Sequence, residues 1–222
     1  MSVTKRAPAM ATIPPMAHRY KTILLFGAPG AGKGTQGKIL GRIPGFFHQA
    51  CGDVFRALDM TSDLGKQFLQ FSGRGELVPD HLTIEMWRQN IHAQTVLSLY
   101  KPHEDILVLD GIPRNVTQAK EMEQYIEVLH VIHLVCRDVD KMVARMRRRA
   151  LKENRIDDAD EKVIRRRFEV YERETRPVLA CYPASIIREV DAIGSPANVL
   201  QHVLEVVVPV QDAHFKNPLG AT

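Results

Sequence analysis

Gly27-Ala28-Pro29-Gly30-Ala31-Gly32-Lys33-Gly34-Thr35-Gln36 decides the fold, because it follows the apolar run Thr22 to Phe26, which reads as a buried strand. Glycines let a backbone wrap an anion with its N–H groups turned inward. A lysine adds a point charge, and the start of the next helix adds a partial positive charge. Gly-x4-Gly-Lys between a strand and a helix therefore reads as a phosphate loop for a nucleoside triphosphate. The alternative, a glycine-rich turn with no ligand, leaves that spacing unexplained. Gly34 stands where the generic motif has Ser or Thr, and Thr35 follows it, which marks a subgroup.

Working outward, Lys21 to Phe26 reads as the first strand and Lys33 to Leu40 opens the first helix. Phe46 to Gln49 is a short strand, and Gly52-Asp53-Val54-Phe55-Arg56 begins a helix. Leu64 to Phe71 and Asp80 to Leu97 show helical apolar spacing, with Pro79 where a helix start tolerates proline. Asp105 to Leu109 is a strand ending in Asp110-Gly111, Asn115 to Glu127 reads as a polar helix, and Leu129 to Val135 as a strand. A basic helix follows from Asp138 to about Lys152, a loop carries Arg155-Ile156-Asp157-Asp158, and a long helix runs from about Asp160 to Pro177. Ile186 to Val190 and Pro196 to Val206 read as the last strand and helix. Alternation of strands and helices calls for an α/β fold: a parallel sheet flanked by helices, with ligands at the carboxyl ends of the strands. Gly27, Asp110 and Arg137 all stand at such ends.

At 222 residues the chain can bury one sizeable core. The net charge is only +4, yet 13 of its 30 Lys and Arg lie between Lys141 and Arg176, interleaved with acids. The acids, and the lack of interleaved aromatics, favour a small polyanion over nucleic acid. Cys51, Cys136 and Cys181 are too widely spaced for a metal clip or a disulfide framework, which points to a reducing cytoplasm. No apolar run is long enough to span a membrane. Residues 1–19 carry Lys5, Arg6, His18 and Arg19, three prolines and no acid, and read as a disordered tail rather than an Arg-rich transit peptide. Residues 208–222 read as a second tail.

A triphosphate held through magnesium calls for an acid at the end of a neighbouring strand, and Asp110 after Ile-Leu-Val-Leu fits; a cap on the next turn is the lesser alternative. Gly111-Ile112-Pro113-Arg114 then forms a stiff turn that sets a guanidinium beside the phosphate site. Phosphoryl transfer asks a protein for positioning and charge neutralisation, work suited to planar, always-charged arginines. Arg145 and Arg149 share a helix face, and Arg155 lies in a loop beside Asp157 and Asp158. Arg147, Arg148 and Arg165 fit a solvated face paired with acids.

Together, Gly27 to Gln36, Gly52-Asp53-x-x-Arg56, Leu77-Val78-Pro79-Asp80, Asp110-Gly111-x-Pro113-Arg114, Gln118 and Arg155-x-Asp157-Asp158 resemble adenylate kinase and its nucleoside monophosphate kinase relatives, in the family's order, from about Tyr20 to Val206. The resemblance implies a P-loop NTPase-like domain over residues 20–207, with a helical monophosphate-binding insertion at about 50–80 and a short lid at about 149–159. The zinc-stabilised form of the lid is not expected. It implies that Gly30, Ala31, Gly32, Lys33, Gly34 and Thr35 cradle the ATP phosphates, that Arg145 stacks near the ATP adenine, and that the backbone near Gly194 contacts the same base. Asp110 would support magnesium, through water. Cys51, Arg56, Leu77, Val78, Gly111, Arg114, Gln118, Arg155 and Arg167 would bind AMP. Arg149, Arg155 and Arg167 would clamp the phosphoryl group in transit, with Arg166 an alternative to Arg167 because the intervening segment is one residue longer than the usual pattern. Gln118 matches the position whose amide reads adenine, since an amide offers a donor and an acceptor. Cys51, where adenylate kinases carry Thr and pyrimidine kinases Ala, and Arg114-Asn115 keep a UMP/CMP kinase in view, as does a binding module without turnover. The expected activity is reversible transfer from ATP to AMP giving two ADP, by a monomer. His48 reads as a half-buried histidine near the sheet rather than a ligand.

Overall fold

The computed structural model describes residues 18–153 and 160–214. Five strands form one all-parallel sheet: β1 (Tyr20–Gly27), β2 (Phe46–Ala50), β3 (Ile106–Asp110), β4 (Ile126–Val135) and β5 (Ile187–Asp191), in the order β2-β3-β1-β4-β5. The central strands are continuous apolar runs because helices cover both faces; Ile23, Leu24, Leu107, Val108 and Leu109 are fully buried. The α/β parallel sheet expected from the alternating pattern is the one observed.

One face packs α2 (Cys51–Arg56), α4 (Asp80–Val96) and α5 (Val116–Met122) around Trp87, Tyr100 and Met122, with α3 (Asp63–Gly73) contributing Phe68. The other packs α1 (Lys33–Leu40) and α8 (Pro196–His214) over Ile23, Leu25 and Ile132. A third cluster, Ala28 with Met142, Met146, Ile164 and Phe168, seats α6 (Val139–Glu153) and α7 (Glu161–Val170) against the glycine-rich loop itself.

Three elements differ from the sequence expectation. The helix expected over Asn115 to Glu127 stops at Met122, and β4 starts at Ile126, where pairing with Tyr20 and Lys21 of β1 overrides the polar letters. The single helix expected from Asp160 to Pro177 is α7, then one wider π-type turn at Tyr171–Thr175, then a 3-10 segment at Arg176–Cys181. Pro177 has no N–H for an α ladder, and the wider turn brings Tyr171 and Thr175 to the cleft wall. The last helix does not end at Val206 but continues through Pro209 to His214, so residues 208–214 are not tail. Val207 is buried in the core, and the Gln211 side chain donates to the Pro44 carbonyl at 2.7 Å, which together hold the extra turns despite the proline.

Candidate active site

The glycine-rich loop leaves the carboxyl end of β1 and enters α1 at Lys33, with Gly32 at the N-cap. Gly30 (φ 82) and Gly32 (φ 98) adopt left-handed backbone that side-chain-bearing residues rarely take, so the loop's path depends on them. The Lys33 ammonium turns back across the loop and donates to the carbonyls of Gly27 (2.6 Å) and Ala28 (3.2 Å). Its pKa is lowered to about 8. Desolvation is the main cause; Asp110 opposes it, while Arg114, Arg149 and Arg167 push the same way as desolvation. Arg149 and Arg167 thus share the electrostatic neighbourhood of Lys33. Asp110 ends β3 in register with Leu25 and Ala50, and a methyl group at Gly34 would lie 3.7 Å from its carboxylate.

A cleft of about 1070 Å³, mouth included, opens beside this loop. Lys33, Cys51, Arg56, Leu77, Val78, Gly111, Arg114, Gln118 and Arg167 all line it, although they come from five separate stretches of chain. Arg56 is oriented by Asp53 at 2.6 Å, and Arg114 by the Gly111 carbonyl, which accepts from its Nε at 2.8 Å. Gly111 gives the second guanidinium room: a Cβ there would stand 3.2 Å from an Arg114 nitrogen. Arg167 lines the cleft, whereas Arg166 is exposed and pairs with Glu169 at 2.9 Å. Arg147 and Arg165 pair with Glu161, and Arg148 is exposed, as a solvated face requires.

At the other end of the cleft, Gln118 is almost wholly buried on α5, and its amide is held on both sides. Its Oε1 accepts from the Arg114 N–H at 2.7 Å, and its Nε2 donates to Asp80 Oδ1 at 2.7 Å. Cys51 is buried, and burial pushes its thiol up to about 11, so it presents a protonated S–H and not a thiolate. His48 packs across Gly37 of α1 and Gly41 at its C-cap, outside the residues that line the cleft, and burial lowers its pKa.

The Arg145 guanidinium donates to the Ala192 carbonyl at 2.9 Å, two residues before Gly194. Arg155, with Asp157 and Asp158, lies outside the described residues, as does most of the stretch expected to form the lid. Residues 25–187 match the family model described as adenylate kinase. The chain belongs to the adenylate kinase family. It is 35% identical to an adenylate kinase of Kocuria rhizophila over 82% of this chain and 96% of that one. It is 32% identical to an adenylate kinase of Thermus thermophilus (82% and 95%), and 33% identical to adenylate kinase isoenzyme 1 of Gallus gallus (83% and 92%).

Two contributors to this adenylate kinase cleft were not assigned from sequence. Thr175 donates its hydroxyl to the Arg114 carbonyl at 2.7 Å across 61 residues of chain, a contact that no local pattern announces. Asp80 stands in the Leu77-Val78-Pro79-Asp80 stretch that carries the resemblance, but the sequence assigned it no role of its own.

Proposed function

We infer that this chain, as an adenylate kinase, moves a phosphoryl group reversibly between ATP and AMP, giving two ADP, and that the cleft between the glycine-rich loop and α5 is where it does so. The observation that carries the reading is that cations fitted to phosphate and a fixed amide fitted to a base line one cleft. Gly30, Ala31, Gly32, Gly34 and Thr35 offer backbone N–H groups to the ATP phosphates at the start of α1, and Lys33 adds charge. Arg145 and the Gly194 backbone take the ATP base. Arg56 and Arg114 hold the AMP phosphate so that one of its oxygens attacks the terminal phosphorus of ATP in line; that P–O bond forms as the bond to the departing ADP oxygen breaks. Arg149, Arg155 and Arg167 neutralise charge gathering on the equatorial oxygens. Cys51, Leu77, Val78 and Gly111 wall the AMP side, and Gln118 reads adenine by offering an acceptor and a donor to its amino and ring-nitrogen edge.

Magnesium fits the donor set: one hard carboxylate, Asp110, at the strand end beside Gly34, to be completed by phosphate oxygens and water. When bound, the ion supplies Lewis-acid neutralisation of the ATP phosphates. Among the described residues no group of three or more His, Cys, Asp or Glu side chains is placed to hold a metal ion by itself. A monomer in a reducing cytoplasm completes the proposal, supported by three free cysteines, with Cys51 a buried thiol in the cleft. Among the described residues no helix is long and apolar enough to cross a membrane. The test is ADP formation with AMP, CMP, UMP and GMP at equal concentration; AMP should lead, and preference for a pyrimidine monophosphate would overturn the assignment of the base site.

A further inference from the structure

Gln118 has a partner on each side whose chemistry admits only one orientation of the amide. The Arg114 N–H can only donate, so it requires the carbonyl oxygen; the Asp80 carboxylate can only accept, so it requires the NH2 group. Asp80 is itself held. Its Oδ1 also accepts from Asn115 Nδ2 at 2.8 Å, and Asn115 cannot turn over because its own Oδ1 accepts from the Gln118 N–H at 2.7 Å and caps α5. The carboxylate sits in the first turn of α4, where the helix dipole favours negative charge. The loop closes on itself: α5's cap fixes Asn115, Asn115 and α4 fix Asp80, and Asp80 fixes the side chain one turn into α5.

We propose that Asp80 is a specificity-determining positioning residue, which sets the donor and acceptor faces that Gln118 presents to the monophosphate base without touching the base itself. With both partners in place, Gln118 keeps one N–H and one oxygen lone pair to offer, in a fixed order. Without Asp80 the NH2 group loses the acceptor-only neighbour that holds it, and the amide samples orientations that suit other bases. The proposal rests on the reading that Gln118 recognises adenine, and its test separates the two.

The test measures kcat and KM for AMP and CMP, and KM for ATP, in Asp80→Ala, Gln118→Ala and the double variant, with thermal melting to confirm folding. Asp80→Ser, too short to reach Gln118 but favourable at a helix start, replaces Asp80→Ala if that variant does not fold. Expected is a fall of about fivefold in the AMP:CMP ratio of kcat/KM for Asp80→Ala, carried by KM for AMP and with KM for ATP unchanged. Asp80→Asn, which keeps an acceptor oxygen, should restore most of it. In the Gln118→Ala background the same Asp80 change should leave the ratio where Gln118→Ala put it. An unchanged ratio in folded Asp80→Ala or Asp80→Ser, or an effect that persists at full size without the Gln118 amide, overturns the proposal while leaving the base reading intact. An unchanged ratio in Gln118→Ala overturns the base reading itself, and the proposal with it.

Discussion

At the end of the cleft proposed for phosphate, Lys33, Arg56, Arg114 and Arg167 gather around one space, whereas at the end proposed for the base one neutral amide is held between Asp80 and the Arg114 N–H. Charge acts over distance and tolerates small errors of angle, so the phosphate end can be assembled from several elements. A hydrogen-bonded amide works only in one orientation, so the base end needs a rigid cap and a carboxylate behind it. The first end should govern turnover for every monophosphate alike, and the second the choice among them.

That division can be broken by substitution. Lys33→Met should reduce kcat by about 10²- to 10³-fold, equally for AMP and CMP, as checked by steady-state rates on both. The folded protein holds the Lys33 pKa below its unfolded value, so its contribution to stability grows as pH rises from about 8 toward the ordinary lysine range. Lys33→Met should therefore melt no lower than the parent at pH 7. A change in base ratio in this variant would show that the two ends are not separate.

The pH dependence of ATP binding sharpens the same point. Polyphosphate favours the charged ammonium, so binding draws in a proton once pH exceeds about 8. ATP affinity should then be flat below that pH and weaken by up to about tenfold per unit above it. Calorimetric titration at several pH values measures this, and the slope should vanish in Lys33→Met. Gln118→Ala should lower the AMP:CMP ratio of kcat/KM by about tenfold while leaving the ATP dependence alone. The smallest effect is expected from Cys51→Thr: the thiol is protonated and buried, and a hydroxyl near the base should raise AMP kcat/KM by at most about threefold.

Much of this was legible in the sequence because the signals were local. The strand, loop and helix around Lys33, the strand-terminal Asp110, and the Gly-x-Pro-Arg turn each carry their chemistry within a few residues. Opaque parts were those decided across the chain. β4 begins at Ile126 because β1 is there to pair with it, although Gln124 and Glu127 look helical and exposed. The turn at Tyr171 carries no mark beyond Pro177, and the Thr175 bond to Arg114 exists only once two distant segments meet. Arg166 and Arg167 are adjacent and chemically identical, so only the helix face that packs on the cleft tells them apart.

Gly52 lies inside α2 with ordinary backbone angles, a place where alanine would make the better helix by about 1 kcal/mol. A Cβ there would stand 3.0 Å from an Arg56 guanidinium nitrogen, the movable tip of a long side chain. The fold could therefore accept the methyl group by letting that tip swing away, at the expense of the phosphate that Arg56 is proposed to hold. A search for heat-resistant variants would gather Gly52→Ala as an improvement, and the enzyme recovered would be sturdier and slower.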